Sequence, residues 1–165
     1  MDNKVRNCRE IGVCLQNIVN RLMANDNLVN LLYYQDKDPL AQTHLTDNQK
    51  KTEIFNKRIR LVPKIPPQEE AQSTISVLAT SGHRLSENQE FTDITILVEV
   101  FVPITQWIIK NSNLRPYAIL GEVQDSLNNK VVNGLGRMTG GDFDYDFTSD
   151  EMTAFIQEFH IYNYD

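Results

Sequence analysis

The chain has 165 residues, 41% hydrophobic and 23% charged, with 16 Lys and Arg against 22 Asp and Glu. That length suits one domain, and the apolar content is enough for a packed core, which excludes wholesale disorder. Nowhere do ~20 apolar residues run together, and the start (Met1-Asp2-Asn3-Lys4) has no apolar h-region, so neither a membrane span nor a secretory signal is expected.

Taken in chain order, the first element is a helix. Ile11, Cys14, Leu15, Ile18, Val19 and Leu22 recur at helical spacing and build one apolar stripe, while Lys4, Arg6, Arg9, Gln16 and Arg21 mostly take the other side. Asn25-Asp26-Asn27 interrupts it, because such side chains compete for backbone bonds and favour caps. A short second helix should carry Leu28, Leu31 and Leu32 inward. Cys8 and Cys14 stand six residues apart in the first helix. They are therefore offset by ~9 Å, beyond the ~7 Å at which a disulfide can close. Both are expected to be reduced thiols in or near the core. Residues 35–49 read as a long polar loop, and Thr46 with Gln49 fits a capping box for a short helix from about Asp47 to Asn56.

The period then changes. Ile59 to Val62 predicts a short strand stopped by Pro63, and Pro66-Pro67 stiffens the connection that follows. Ser73 to Ala79 alternates and predicts a strand, Ser81-Gly82 marks a break, and Phe91 to Val102 is the strongest strand signal in the chain. The last two pair as an antiparallel hairpin longer than the sheet needs, and Pro103 should end the ladder. Trp107-Ile108-Ile109 fits either a strand or a packed loop. Arg115 and Pro116 open a helix, with Pro116 near the position where its missing N–H costs nothing, and Asn128-Asn129 closes it. Residues 130–141, with Gly134, Gly136, Gly140 and Gly141, read as turns. Phe143, Tyr145 and Phe147 alternate with Asp144 and Asp146, which predicts a strand with its aromatics inside and its acids outside. Met152 to Tyr162 favours a last strand.

Helices at the front, strands in the middle, one late helix and more strands make an α+β pattern. The expected fold is an antiparallel (mixed) β-sheet with a long hairpin, flanked by N-terminal helices and one later helix. With no repeat or composition shift, one domain over residues 1–165 is expected: helices within 4–34, a loop and short helix over 35–57, and sheet and helix over 58–163.

Motifs that carry chemistry are missing. His44, His83 and His160 lack metal-ligand spacing, no Gly-x-Ser-x-Gly elbow or Walker sequence occurs, and Gly134-Leu135-Gly136 has Thr at the third glycine position of a dinucleotide fingerprint. Asp142, Asp144 and Asp146 alternate along a strand and could hold Mg²⁺ or Ca²⁺ for phosphodiester chemistry. A calcium loop fails there, since Phe147 and Thr153 stand where its Gly and Glu belong. Alternating acids and aromatics are also what an ordinary edge strand looks like. The expectation is therefore no enzyme, no catalytic residue, no cofactor and no bound metal.

Charge is segregated. Of the 22 acids, fifteen lie in residues 1–137 with all 16 bases, and seven lie in residues 138–165, which hold no Lys or Arg. The densest basic stretch is Lys50, Lys51, Lys57, Arg58, Arg60 and Lys64, opposed locally by Glu53. An acidic chain is a poor non-specific nucleic-acid binder. Function is thus expected on surfaces: the Asp36–Gln49 loop, the hairpin tip from Thr80 to Glu90, and a meeting across a subunit boundary of Lys57, Arg58 and Arg60 with Asp142, Asp144, Asp146, Asp150 and Glu151, the acids alternatively lining a lumen.

The succession Arg58-Ile-Arg-Leu-Val-Pro-Lys-Ile-Pro-Pro67, the long hairpin, then Asn113-Leu-Arg-Pro-Tyr-Ala-Ile-Leu-Gly-Glu-Val123 and Val132-Asn-Gly-Leu-Gly136 resembles neck and tail-completion proteins of long-tailed bacteriophages. The likeness is to the tail-terminator group and covers roughly residues 59–163. It implies a virion protein, assembled in the bacterial cytoplasm, that forms a usually hexameric ring ending the tail tube and joining it to the head. Its partners would be other copies of itself, the tail tube protein below and a head-closure or connector protein above, with DNA passing through unbound. Head-closure proteins of the same neck share this texture and are the nearest alternative. A metal-dependent phosphodiesterase and a host-directed binding protein are alternatives from other classes.

Overall fold

The structure, a computed structural model, describes residues 7–62, 71–84, 91–132 and 136–162. Asparagines start the first two helices. Asn7 Oδ1 accepts from the N–H groups of Arg9 (2.9 Å) and Glu10 (3.3 Å), and the Glu10 carboxylate accepts from the Asn7 N–H in return, so a capping box opens α1 (Cys8–Met23). Asn25 caps α2 (Asp26–Tyr33) by accepting from Leu28 N–H at 3.0 Å. Its amide also donates to the Glu122 carboxylate and to Ser126 Oγ, both at 2.9 Å, and so ties the α1–α2 corner to α4 (Arg115–Leu127). The expected stripe points inward: Cys14, Ile18, Val19, Leu22, Leu28, Leu31 and Leu32 are all buried. Cys8 is exposed, contrary to expectation, because it is the first residue of its helix and lies beyond that stripe.

The Thr46–Gln49 capping box forms and starts α3 (Asp47–Gln49), which widens into a π turn over Lys50–Ile54. Lys50 turns back to meet Asp26 at 2.6 Å, and His44 lies 3.3 Å from the same carboxylate.

The strands are β1 (Ile59–Arg60), β2 (Thr74–Arg84), β3 (Phe91–Pro103), β4 (Ile108–Ile109), β5 (Asn113–Leu114), β6 (Val131–Val132), β7 (Gly136–Thr148) and β8 (Met152–Tyr162). Among the described residues they make a six-stranded sheet in the order β1-β2-β3-β8-β7-β6 and a small β4-β5 ribbon. β1 is parallel to β2, and the other pairs are antiparallel, so the fold is a mixed-sheet α+β arrangement. β3 lies between β2 and β8, and its residues alternate between half-buried and buried from Asp93 to Val100, after which Phe101, Val102 and Pro103 are all buried. Ile94, Ile96, Val98, Val100 and Val102 join Ile75 and Val77 of β2 and Phe155, Phe159 and Ile161 of β8 in one apolar core with α1, α2 and α4. Each such burial contributes roughly 1.5–3 kcal/mol before chain entropy is set against it.

Three strand expectations are corrected. The first strand stops at Arg60 instead of Val62, and Pro63 and Pro66-Pro67 lie outside the described residues. Ser81-Gly82 does not break β2: the strand passes through a bulge between Ala79 and Ser81, and glycine is needed because the Phe91 ring sits 2.8 Å from where a Cβ would stand. The long hairpin forms as expected: β2 pairs with β3 from Thr74–Phe101 to Arg84–Phe91, one pair past the last β3–β8 pair at Asp93–Tyr162, and residues 85–90 lie outside the described residues. Finally, residues 136–141 belong to β7. Gly140 and Gly141 have φ of +124° and +102°, and a Cβ on Gly140 would lie 2.7 Å from the Glu158 carbonyl, so these glycines form a bulge in a strand where turns were expected.

Arg115 opens α4 as expected, but its side chain is only 1% exposed. Its guanidinium donates to four main-chain carbonyls: Gln106 (2.9 Å), Leu31 (2.6 Å), Tyr34 (2.7 Å) and Asp36 (2.7 Å). Burial lowers its pKa from the usual arginine value, and Asp36 partly offsets this. Replacing Arg115 with Ala would take this donor from four carbonyls, two of them in buried and two in part-buried hydrogen bonds. The expected loss is about 3–5 kcal/mol, read as a lower urea midpoint. Arg115→Lys should recover only part of it, because an ammonium cannot span the same fork.

Candidate functional site

Of the predicted basic residues, Lys57, Arg58 and Arg60 gather at the β1 edge. Ile54 ends the π turn, Asn56 adopts a left-handed conformation (φ 59°), and its N–H donates to the Ile59 carbonyl at 2.9 Å, so the chain doubles back into β1. Beside this corner an open groove of about 410 Å³ is lined by Glu53, Asn56, Lys57, Arg58, Arg60 and Gln72. Lys57 is exposed and pairs with Glu53 at 3.2 Å, and Arg60 Nε donates to the Lys57 carbonyl at 3.0 Å. Arg58 is buried, and Lys50 is consumed by Asp26. The outward-facing positive charge at this edge therefore rests on Lys57 and the half-buried Arg60, while exposed Lys51 lines a separate groove with Asn20, Met23 and Ala24 of the α1 end. Lys64 lies outside the described residues.

The predicted acids lie on the far side of the sheet. β7 pairs with β8 on one side, and β6 covers only its first two residues, Gly136 and Arg137. From Thr139 to Thr148, then, no described strand flanks β7, and it is an edge. Asp142 stands opposite Glu158 and Asp144 opposite Ile156. A second bulge between Tyr145 and Phe147 brings Asp146 within electrostatic reach of Glu99 on β3. Asp150 and Glu151 are exposed in the β7–β8 turn, where Ser149 Oγ accepts from the Glu151 and Met152 N–H groups.

Basic and acidic groups thus sit at opposite edges of one sheet, with β2, β3 and β8 between them, a span of about 19 Å at ordinary strand spacing. The fold brings Asp142, Asp144 and Asp146 near Glu99 and Glu158, and it does not bring any of them near Lys57, Arg58 or Arg60. Glu99 and Glu158 were not singled out in the sequence, because only strand register places them here. His160 meets Glu158 at 2.8 Å. Among the described residues no three or more His, Cys, Asp and Glu side chains converge as a metal site.

The expectation of acids outside and aromatics inside is met in part: Asp144 and Asp146 are exposed, but Phe143 and Tyr145 are not enclosed, and the Phe147 side chain lies outside the described residues. Phe143 and Tyr145 are 50% and 57% exposed. They do face the helix side, but at the sheet's edge that side is only half covered. Their rings pack against buried Phe155, with centroids 6.4 and 5.7 Å away, and Tyr117 of α4 joins at 5.5 Å from Phe155 and 5.9 Å from Phe143.

The Asp36–Gln49 loop, expected as a contact surface, is pinned to the body. Lys110 meets Asp38 at 2.6 Å, Tyr34 Oη donates to the Thr43 carbonyl at 2.8 Å, Asn30 donates to the Gln42 carbonyl at 3.0 Å, and Pro39 and Leu45 are buried. Of the hairpin tip, residues 80–84 are exposed, and 85–90 lie outside the described residues.

The architecture is that of an α+β protein whose distinguishing surfaces are two oppositely charged sheet edges. The YomW family model matches residues 25–160, which takes in both edges, and the chain belongs to that family. The family carries a Bacillus phage-type gene-product name, which points to a phage-derived protein. No curated protein matches the chain. Among the described residues no helix is long and apolar enough to cross a membrane.

The Glu99 carboxyl has its pKa raised, mainly by burial and secondarily by Asp146. A raised folded-state pKa means that ionising Glu99 costs stability, and the cost grows as pH rises from the unfolded value of about 4.3 through the folded one. Glu99→Gln should therefore raise the urea midpoint at pH 7 and leave it nearly unchanged near pH 4.

Proposed function

We propose that this chain is a structural virion protein of a tailed phage, forming a ring at the head–tail junction that ends the tail tube and joins it to the head. A hexamer is the stoichiometry the tail-terminator resemblance implies. The partners are further copies of the chain, the tail tube protein on one side and a head-closure or connector protein on the other. The observation that carries this reading is the placement of opposite charges at opposite edges of one sheet. Such a subunit attracts a copy of itself head to tail and repels it edge to like edge, and a head-to-tail contact with a fixed rotation closes into a ring. Phage-type family membership supports the setting. The net charge of −6 suits a conduit through which DNA passes without being held.

The role works through shape and charge and requires no turnover. Native mass measurement should give a ring of about six copies whose mass does not depend on divalent metal, allowing for subunits that assemble only on a tail end. Particles made without the chain should show tails of uncontrolled length, or heads and tails left unjoined, in electron micrographs. Joined virions of normal tail length in its absence would overturn the proposal. So would Mg²⁺-dependent phosphodiester cleavage that is lost in Asp144→Asn.

A further inference from the structure

Two properties of β7 go beyond its charge. Successive side chains on a strand point to opposite faces, so Asp142 and Asp144 project from one face of this edge while Phe143 and Tyr145 project from the other. The edge is a ledge with an acidic side and an aromatic side. A long edge strand with two half-exposed aromatics is a liability for a protein that works alone, and contiguous exposed aromatics that rest on a buried ring are what the centre of a protein–protein contact looks like. The two bulges, at Gly140–Asp142 and Tyr145–Phe147, interrupt the flat run that would favour open-ended stacking.

We infer that the β7 ledge is the seat for the β1 corner of a second copy of this chain, and that Phe143, Tyr145 and Tyr117 anchor the contact while Asp142 and Asp144 set its register. This inference rests on the ring reading and names its interface. The occupant follows from complementarity. The β1 corner offers exposed Lys57 and half-buried Arg60 together with Val62, which is 56% exposed just past the strand. It can therefore set cations against the acidic side and an apolar side chain against the rings. A β7-to-β7 pairing would oppose Asp to Asp and is disfavoured. Because the two surfaces lie on opposite edges of one subunit, neither can satisfy the other within the same chain, and each added copy leaves one of each kind until the ring closes.

The test uses three full-length samples: wild type, Asp142→Lys with Asp144→Lys, and Lys57→Glu with Arg60→Glu. Three of the four positions are exposed and Arg60 is half-buried, so folding should be kept, which circular dichroism and the urea midpoint check. Each reversed variant carries like charge on both edges, and the concentration for half-assembly should rise at least about tenfold. An equimolar mixture of the two variants should assemble again, with the two alternating around the ring, because each β7 ledge then meets a β1 corner of opposite sign. Light scattering and native mass spectrometry read the result, or co-sedimentation with isolated phage tails where the wild type assembles only there. Tyr145→Ser should weaken assembly in wild type by more than the small drop in urea midpoint from losing its contact with Phe155 accounts for.

The outcomes separate the two claims. A wild-type ring indifferent to both reversals, or variants that the mixture does not rescue, would overturn this interface and leave the ring standing. A wild type that neither self-assembles nor adds to tails would overturn the ring itself. A reversal that instead abolishes binding to the tail tube protein while the ring persists would make the ledge a surface for a different partner and would also overturn the inference.

Discussion

Arg115 is the point at which four separate stretches of chain are held to one another. It receives the carbonyls of Leu31 and Tyr34 at the end of α2, of Asp36 in the following loop, and of Gln106 in the turn before β4. A cation at the first position of α4 faces the unfavourable end of its own helix dipole. The carboxyl end of α2, with its unpaired carbonyls, supplies an opposing field at closer range. Only a planar, five-donor group can satisfy carbonyls arriving from different directions in this way. The interaction fixes the angle between α2 and α4, and α4 is the helix that carries Tyr117 under the rim of β7. The aromatic ledge therefore depends on a buried guanidinium that lies well away from it in sequence.

The other constraint on the ledge is steric. β7 crosses over α4, and a Cβ at Gly141 would stand 3.1 Å from the Gln124 side chain, while one at Gly140 would run into the β8 main chain. The double glycine lets the strand bend there, and the buried Gln157 amide donates to the Gly141 carbonyl at 2.9 Å, which holds the bulge in place. Past this point the strand's side chains fall in a register that sends Asp142 and Asp144 to one face and Phe143 and Tyr145 to the other. The two-sided character of the edge is thus set by one bulge as well as by the alternation of residue types.

How much of this was legible in the sequence depended on whether the signal was local. The helices, their caps at Asn25 and Thr46, the Pro116 start and the β3 run were readable because periodicity and capping act within a few residues. The glycines at 140 and 141 misled, because the same freedom that makes glycine a turn residue also makes it a bulge residue, and only the pairing partner tells which. The aromatics of β7 misled for a related reason. Period-two alternation identifies two faces, but it does not say whether the helix layer reaches far enough to cover one of them. Arg115 could not be read as buried, since an arginine at a helix start looks like solvated surface until the carbonyls of a distant helix are placed around it. The charge segregation was plain in the composition of residues 138–165, yet its arrangement on opposite edges came only from the strand order.

That arrangement bears on how the polarity of an assembly is encoded. Strand order in a sheet is directional: β1 has one outer side and β7 has the other, and no operation within the chain exchanges them. In the ring proposed above, bases on one and acids on the other would convert the direction of the sheet into a direction of association, with a copy adding in one orientation without any interlocking motif. Charge steers at a distance but discriminates weakly once water is present. The aromatic side of the ledge is suited to the complementary task, since burying rings against a neighbour is short-ranged and does not weaken with salt. Under that proposal, division of labour between the two faces of one strand accounts for the alternation of both residue types. It also explains why neither type alone, read along the chain, has the look of a functional motif.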